Sequence, residues 1–152
     1  MKPLIARKVR IKNIVVASAV IILIASFVLI DFHRVEKDFQ GLRVDLMRVR
    51  FQSISRPSPL VVRFDSDNLA VMDLTSGKIL ETLRYRTISK VDYQTTLGDN
   101  MIVFLNGTTS YHNKRVHGGE IELRSWLGFT KYMHVNCAGY VEEGRFPESE
   151  EN

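Results

Sequence analysis

Four histidines, one cysteine and a glycine pair are the residues of this 152-residue chain that could do chemistry. His33, His112, His117 and His134 are scattered, and only His112 and His117 share a segment, Tyr111-His112-Asn113-Lys114-Arg115-Val116-His117. Two imidazoles with no Cys or carboxylate in that segment fall short of the ligand number a metal site needs. Cys137 could act as a nucleophile with His134 as its base, but a lone cysteine beside a strand reads first as a small buried apolar residue. Gly118-Gly119 is followed by neither Lys-Ser/Thr nor a helix start, so it is not a phosphate loop. Asn106-Gly107-Thr108 matches a glycosylation sequon, yet Asn-Gly is equally a hairpin turn signal, and the turn is the expected reading. No catalytic residue, metal ligand or cofactor site is assigned, and no enzyme activity is expected. One cluster remains. Tyr111, His112, Lys114, Arg115 and His117 could form a ligand loop, its cations on phosphates and Tyr111 stacked on a base, as single-stranded DNA binders do. Two cations supply little electrostatic affinity, so the plainer reading is a solvated loop tip.

The elements that would carry these residues begin with a charge asymmetry. The chain has 21 basic and 17 acidic residues, a net charge of +4. Lys2, Arg7, Lys8, Arg10 and Lys12 fall in the first 13 residues with no acid among them, and without them 16 bases face 17 acids. The basic character is local and excludes a chain-wide nucleic-acid surface. The single cysteine excludes an intrachain disulfide framework. Residues 14–30 are 17 uncharged, mostly apolar residues, at the short end of the ~17–25 that cross a bilayer as a helix. A cleaved secretory signal is the alternative. However, Ala25-Ser26-Phe27 runs on into Val, Leu and Ile rather than a polar mature start, so an uncleaved transmembrane anchor is expected. Five basic residues precede the span and five more lie within 31–50; the denser N-terminal cluster favours a cytoplasmic N-terminus and an extracytoplasmic C-terminal domain.

Past Asp31 the apolar pattern narrows to a stripe. Phe32, Val35, Phe39, Leu42, Leu46 and Val49 are spaced 3, 4, 3, 4, 3, the seam of an amphipathic helix over 31–56. Such a seam packs on the chain's own C-terminal domain, on helices of other subunits, or on both. Phe32 and Val35 are expected to lie too close to the membrane for the domain to reach. Pro57 and Pro59 forbid continuation, giving one helix from about Lys12 to Ile54, and Gly41 is a weak point inside it. The remainder, 57–146, reads as short antiparallel strands: 60–64, 69–74, 79–85, a short one at Val91 and Tyr93, 101–105, 120–124, 130–135 and 138–141. The continuous apolar run Met101–Leu105 implies burial on both faces. An acidic tail, 147–152, closes the chain. A helix followed by seven or eight antiparallel strands makes an α+β domain with the helix covering a sheet face.

This order of elements resembles type IV pilins and pseudopilins. The likeness is carried by Met101-Ile102-Val103-Phe104-Leu105-Asn106-Gly107-Thr108, then Gly118-Gly119-Glu120-Ile121-Glu122-Leu123, then Lys131 to Val141. These resemble the minor pseudopilins of the GspH/FimT type and those of competence pili, with their apolar strand, Gly turn and "Gly-Gly-x-Ile-x-Leu". Ser53-Ile54-Ser55-Arg56 likewise resembles that family's helix end before its first strand. The chain departs from the family at the leader, where neither the Gly before the cut nor the Glu after it is present around Lys12–Ser18, and at Gly139-Tyr140 in place of Gly-Arg. Residues 1–13 are therefore expected to stay attached. The resemblance implies a pilin-like structural subunit of a type II secretion, type IV pilus or competence (DNA-uptake) apparatus, sited in the cytoplasmic (inner) membrane. Its partners would be membrane lipid, other pilin-like subunits and inner-membrane assembly proteins. A membrane-anchored binding module contacting DNA or another ligand through the 111–117 loop is the alternative.

Overall fold

The computed structural model describes residues 2–65, 68–92, 94–95, 98–109 and 119–144, the side chains of 2–13, 94–95, 98–99 and 119 excepted. One helix, α1, runs unbroken over Lys2–Ile54, 53 residues or about 80 Å at 1.5 Å per residue. It begins ten residues before the expected start at Lys12. The segment 4–13 contains good helix formers, and Pro3 falls in the first turn, where its missing N–H has no intrahelical partner to lose. The helix stops before Pro57, as the two prolines require.

Ten strands follow among the described residues: β1 Leu60–Phe64, β2 Asn68–Asp73, β3 Ile79–Arg84, β4 Ile88–Asp92, β5 Gln94–Thr95, β6 Gly98–Asp99, β7 Met101–Phe104, β8 Gly119–Arg124, β9 Thr130–Val135 and β10 Val141–Glu143. They form two antiparallel four-stranded sheets, ordered β3-β2-β1-β7 and β10-β9-β8-β4, and a short β5-β6 pair. The α+β, pilin-like architecture is as expected: one long N-terminal helix packed against antiparallel sheet. Two sheets stand where one was expected because β1 pairs with β2 and β7, whereas β4 leaves its sequence neighbour β3 to pair with β8.

The last strand differs from expectation. Residues 138–140, read as strand from their apolar types, belong to the turn between β9 and β10. Asn136 Oδ1 accepts the Tyr140 N–H at 3.0 Å and Gly139 sits at φ 78°, a conformation that breaks strand pairing. The turn also leaves Cys137 exposed rather than buried. Asn106 and Gly107 form the expected tight turn, with φ of 51° and 80° and paired Leu105–Thr108 backbone bonds.

The core joins the helix to both sheets. Val35, Phe39, Leu42, Leu46 and Val49 are all buried against Leu60, Val62 and Phe64 of β1, Ile102 and Phe104 of β7, Ile121 and Leu123 of β8, and Met133 and Val135 of β9. Val61 and Val103 alternate with these inward residues and are buried too, so the apolar run in β7 is covered on both faces. The seam is therefore the chain's own core along 35–49. Val35 is 2% exposed, which corrects the expectation that the domain stops short of it. Phe32, half exposed, meets Phe129 edge-on at 5.5 Å. The domain reaches this far because the turn between β8 and β9 extends along the helix toward the apolar segment.

Candidate functional site

The feature that needs a partner outside the chain is the helix itself. From Ile14 to Ile30 every residue is exposed, and the helix is long and apolar enough to cross a membrane, with only 6% of its most apolar window buried. A core helix of a soluble protein would be buried instead. Among the described side chains of the helix, Asp31 is the first buried one, and regular burial of one face begins at Val35.

Asp31 is buried and held by the β8–β9 turn. Its Oδ2 accepts the Leu127 N–H at 2.9 Å, and Ser125 and the Trp126 amide also favour the charged carboxylate. The Ser125 bond, more than any other contact, holds the Asp31 carboxyl below the usual carboxylate range, against the opposing effect of burial. The turn closes on itself through Ser125 N to Phe129 O at 2.8 Å, Phe129 N to Ser125 Oγ at 3.0 Å, and Gly128 at φ 89°. Its rings lie along the helix, Phe129 on Phe32 and Trp126 on Phe27, the latter edge-on at 5.6 Å.

A second stripe on α1, parallel to the apolar seam, is polar. Asp38, Gly41, Asp45 and Arg48 are spaced 3, 4, 3. Thr87 Oγ1 donates to Asp38 at 2.9 Å, the Tyr85 hydroxyl donates to Asp45, and Arg48 bridges Asp45 and Glu81 at 2.9 Å each. Burial first, and the Asp45 bond second, push the Tyr85 phenol well above its ordinary range. On the other flank Lys131 pairs with Glu36 and packs over the Phe39 ring at 4.7 Å.

The far end of the helix is clamped by two turns. Arg50 Nε donates to the Gly107 carbonyl at 2.8 Å, the Gly107 N–H donates to Ser53 Oγ at 3.0 Å, and the Tyr140 ring covers the Arg50 guanidinium at 3.9 Å. A Cβ on Gly139 would lie 2.3 Å from the Gly107 carbonyl oxygen, so the two turns meet only because position 139 is glycine, while a Cβ on Gly107 would press on Ile54 of the helix at 2.8 Å. Tyr140 thus holds an arginine from the helix.

The chain matches no family model, no curated protein and no solved structure. Its surfaces must be read from their own chemistry. Of the six seam residues, the structure brings five together in the core and leaves Phe32 at the edge. Tyr111, His112, Lys114, Arg115 and His117 lie outside the described residues, as do Tyr93 and the acidic tail. His134 Nε2 lies 3.0 Å from Oε2 of Glu142, the residue paired with it across β9 and β10. Among the described residues no group of three His, Cys, Asp or Glu side chains is arranged to hold a metal.

The seam expectation missed a second apolar surface. Val44 and Phe51 are 64% and 59% exposed, and Ile54 is exposed as well. Val44 lies two residues from both Leu42 and Leu46, about 200° around the helix, so Val44 and Phe51, seven residues on, face away from the sheets, whereas Ile54 lies beside the Gly107 turn. The seven-residue spacing from Val44 to Phe51 was the available signal.

Proposed function

We propose that this protein is a minor pseudopilin-like structural subunit, anchored in the cytoplasmic membrane by residues 14–30 and assembling with other pilin-like subunits through its helix. The observation that carries this reading is the division of one continuous helix. Its second half is spent on the chain's own core, and its first half is bare on every face, which water does not tolerate over 17 residues. A lipid bilayer stores such a helix, and a bundle of like helices buries it. The N-terminus lies in the cytoplasm with its basic residues, and the sheet domain lies outside. The outward pair Val44 and Phe51 adds a second apolar surface beyond the membrane and supplies the contact to neighbouring subunits.

The test is site-specific photo-crosslinking from positions 44 and 51 in native membranes. Adducts with other pilin-like chains are the expected result. A chain that floats with membranes, gives no adducts and retains binding to DNA would instead be the anchored binding module.

A further inference from the structure

The β8–β9 turn presents its apolar side chains outward beside the membrane segment. Trp126 is 82% exposed and Leu127 45%, although the Leu127 backbone amide is tied to buried Asp31. A fixed turn that displays its largest side chain to solvent has no folding reason to carry tryptophan there.

Its position supplies one. The Trp126 ring contacts Phe27, which lies four residues, about 6 Å, to the apolar side of Asp31. Residues 14–30 span about 26 Å as a helix, less than the ~30 Å hydrocarbon core. A span with no length to spare keeps its last residues at the lipid boundary, so Phe27 is not lifted clear of the bilayer. Whatever touches Phe27 from outside the helix is then at headgroup depth. Indole is the side chain that favours this layer, with its apolar body toward the acyl chains and its N–H toward water.

We propose that the turn Trp126-Leu127-Gly128-Phe129 is a second membrane contact, its Trp126 and Leu127 side chains seated in the lipid headgroup layer. The occupant is the bilayer, because the patch is continuous through Phe27 and Phe32 with the apolar helix surface. The Asp31 carboxylate is the peg that holds the turn at this depth. Two contacts fix the domain's tilt on the membrane, where a single helix would leave it free to rock. The inference rests on the anchor reading above.

Trp126 is the chain's single tryptophan, so its own emission reports its surroundings. The full chain is reconstituted at about one copy per vesicle of phosphatidylethanolamine and phosphatidylglycerol, with flotation recorded first. The expected result is blue-shifted emission, strong quenching by lipids brominated near the headgroup, and weak quenching by iodide. In Leu127→Glu, whose backbone bond to Asp31 is retained, the chain still floats, but quenching by brominated lipid is lost and iodide quenching rises several-fold. Flotation with water-exposed, iodide-quenched emission overturns the second contact and leaves the anchor intact. Emission shielded from both quenchers places protein rather than lipid on the turn and equally overturns it. Failure to float overturns the anchor and the second contact together.

Discussion

Gly41 shows how a single residue is chosen by something distant in sequence. A glycine inside a helix costs about 1 kcal/mol against alanine. Here a Cβ at position 41 would lie 3.3 Å from the Tyr85 ring and 3.4 Å from its hydroxyl oxygen. The missing side chain lets the tyrosine lie across the helix and reach Asp45 one turn further on. Gly41→Leu should therefore destabilise the protein by about 1–3 kcal/mol, as overpacking does, in chemical denaturation of the detergent-solubilised chain. Tyr85→Phe keeps the ring but deprives the Asp45 carboxylate of a donor, and should cost about 1.5–3 kcal/mol by the same measurement. The phenol also sets a limit at high pH. Its folded-state pKa is raised above the unfolded value near 10, so its contribution is complete below pH ~10 and falls as pH rises beyond it. Stability measured upward from pH 9 should decline in the native protein and decline less in Tyr85→Phe.

The helix was legible as an element because its information is local. The 3, 4, 3, 4, 3 spacing from Phe32 to Val49 identified the buried face, and the same periodicity predicts that Leu46→Ala, at a fully buried position, costs about 2–5 kcal/mol. The polar stripe on the same helix was not legible. Asp38, Gly41, Asp45 and Arg48 look like solvated helix residues until Glu81, Tyr85 and Thr87 arrive from the β3–β4 region. The turns that grip the helix at Asp31 and at Arg50 were hidden for the same reason: Asp31 and Leu127 are 96 residues apart, and Arg50 and Gly107 are 57. Strand positions followed from alternation and turn residues, and they failed at 138–140, where an asparagine side chain and a left-handed glycine outweighed apolar composition. The carboxylates that pin these elements give an acid limb. The Ser125 hydroxyl lowers Asp31, Lys131 lowers Glu36, and the Ser58 hydroxyl lowers Asp73. Each is depressed in the folded state, so its contribution is complete above pH ~4.3 and is lost as pH falls through the folded values. Unfolding free energy should drop between pH 5 and pH 2, and Asp31→Ala should lose part of that slope together with hydrogen-exchange protection of the Leu127 amide.

At the scale of the whole molecule, the division of labour along α1 decides which substitutions separate folding from assembly. The seam cannot serve that purpose, because Val35 through Val49 are core residues whose loss unfolds the domain. Phe32 serves poorly, since its ring contact with Phe129 gives it a part in the fold. The outward strip has no such part: Val44 and Phe51 are 64% and 59% exposed and point away from both sheets. Surface substitutions of this kind shift stability by no more than about 0.5 kcal/mol. If the strip packs against neighbouring subunits, a carboxylate placed there is buried without a partner and costs several kcal/mol per interface. The double variant Val44→Asp/Phe51→Asp should therefore unfold at the same denaturant concentration as the parent, float with membranes as the parent does, and fail to enter the assembled complex. Membrane flotation, denaturation and co-purification with other pilin-like chains measure the three properties on one preparation. Under the proposed assembly, a variant that folds, floats and still assembles would rule out this face of the helix as the intersubunit contact and leave the apolar segment 14–30 to be tested in its place.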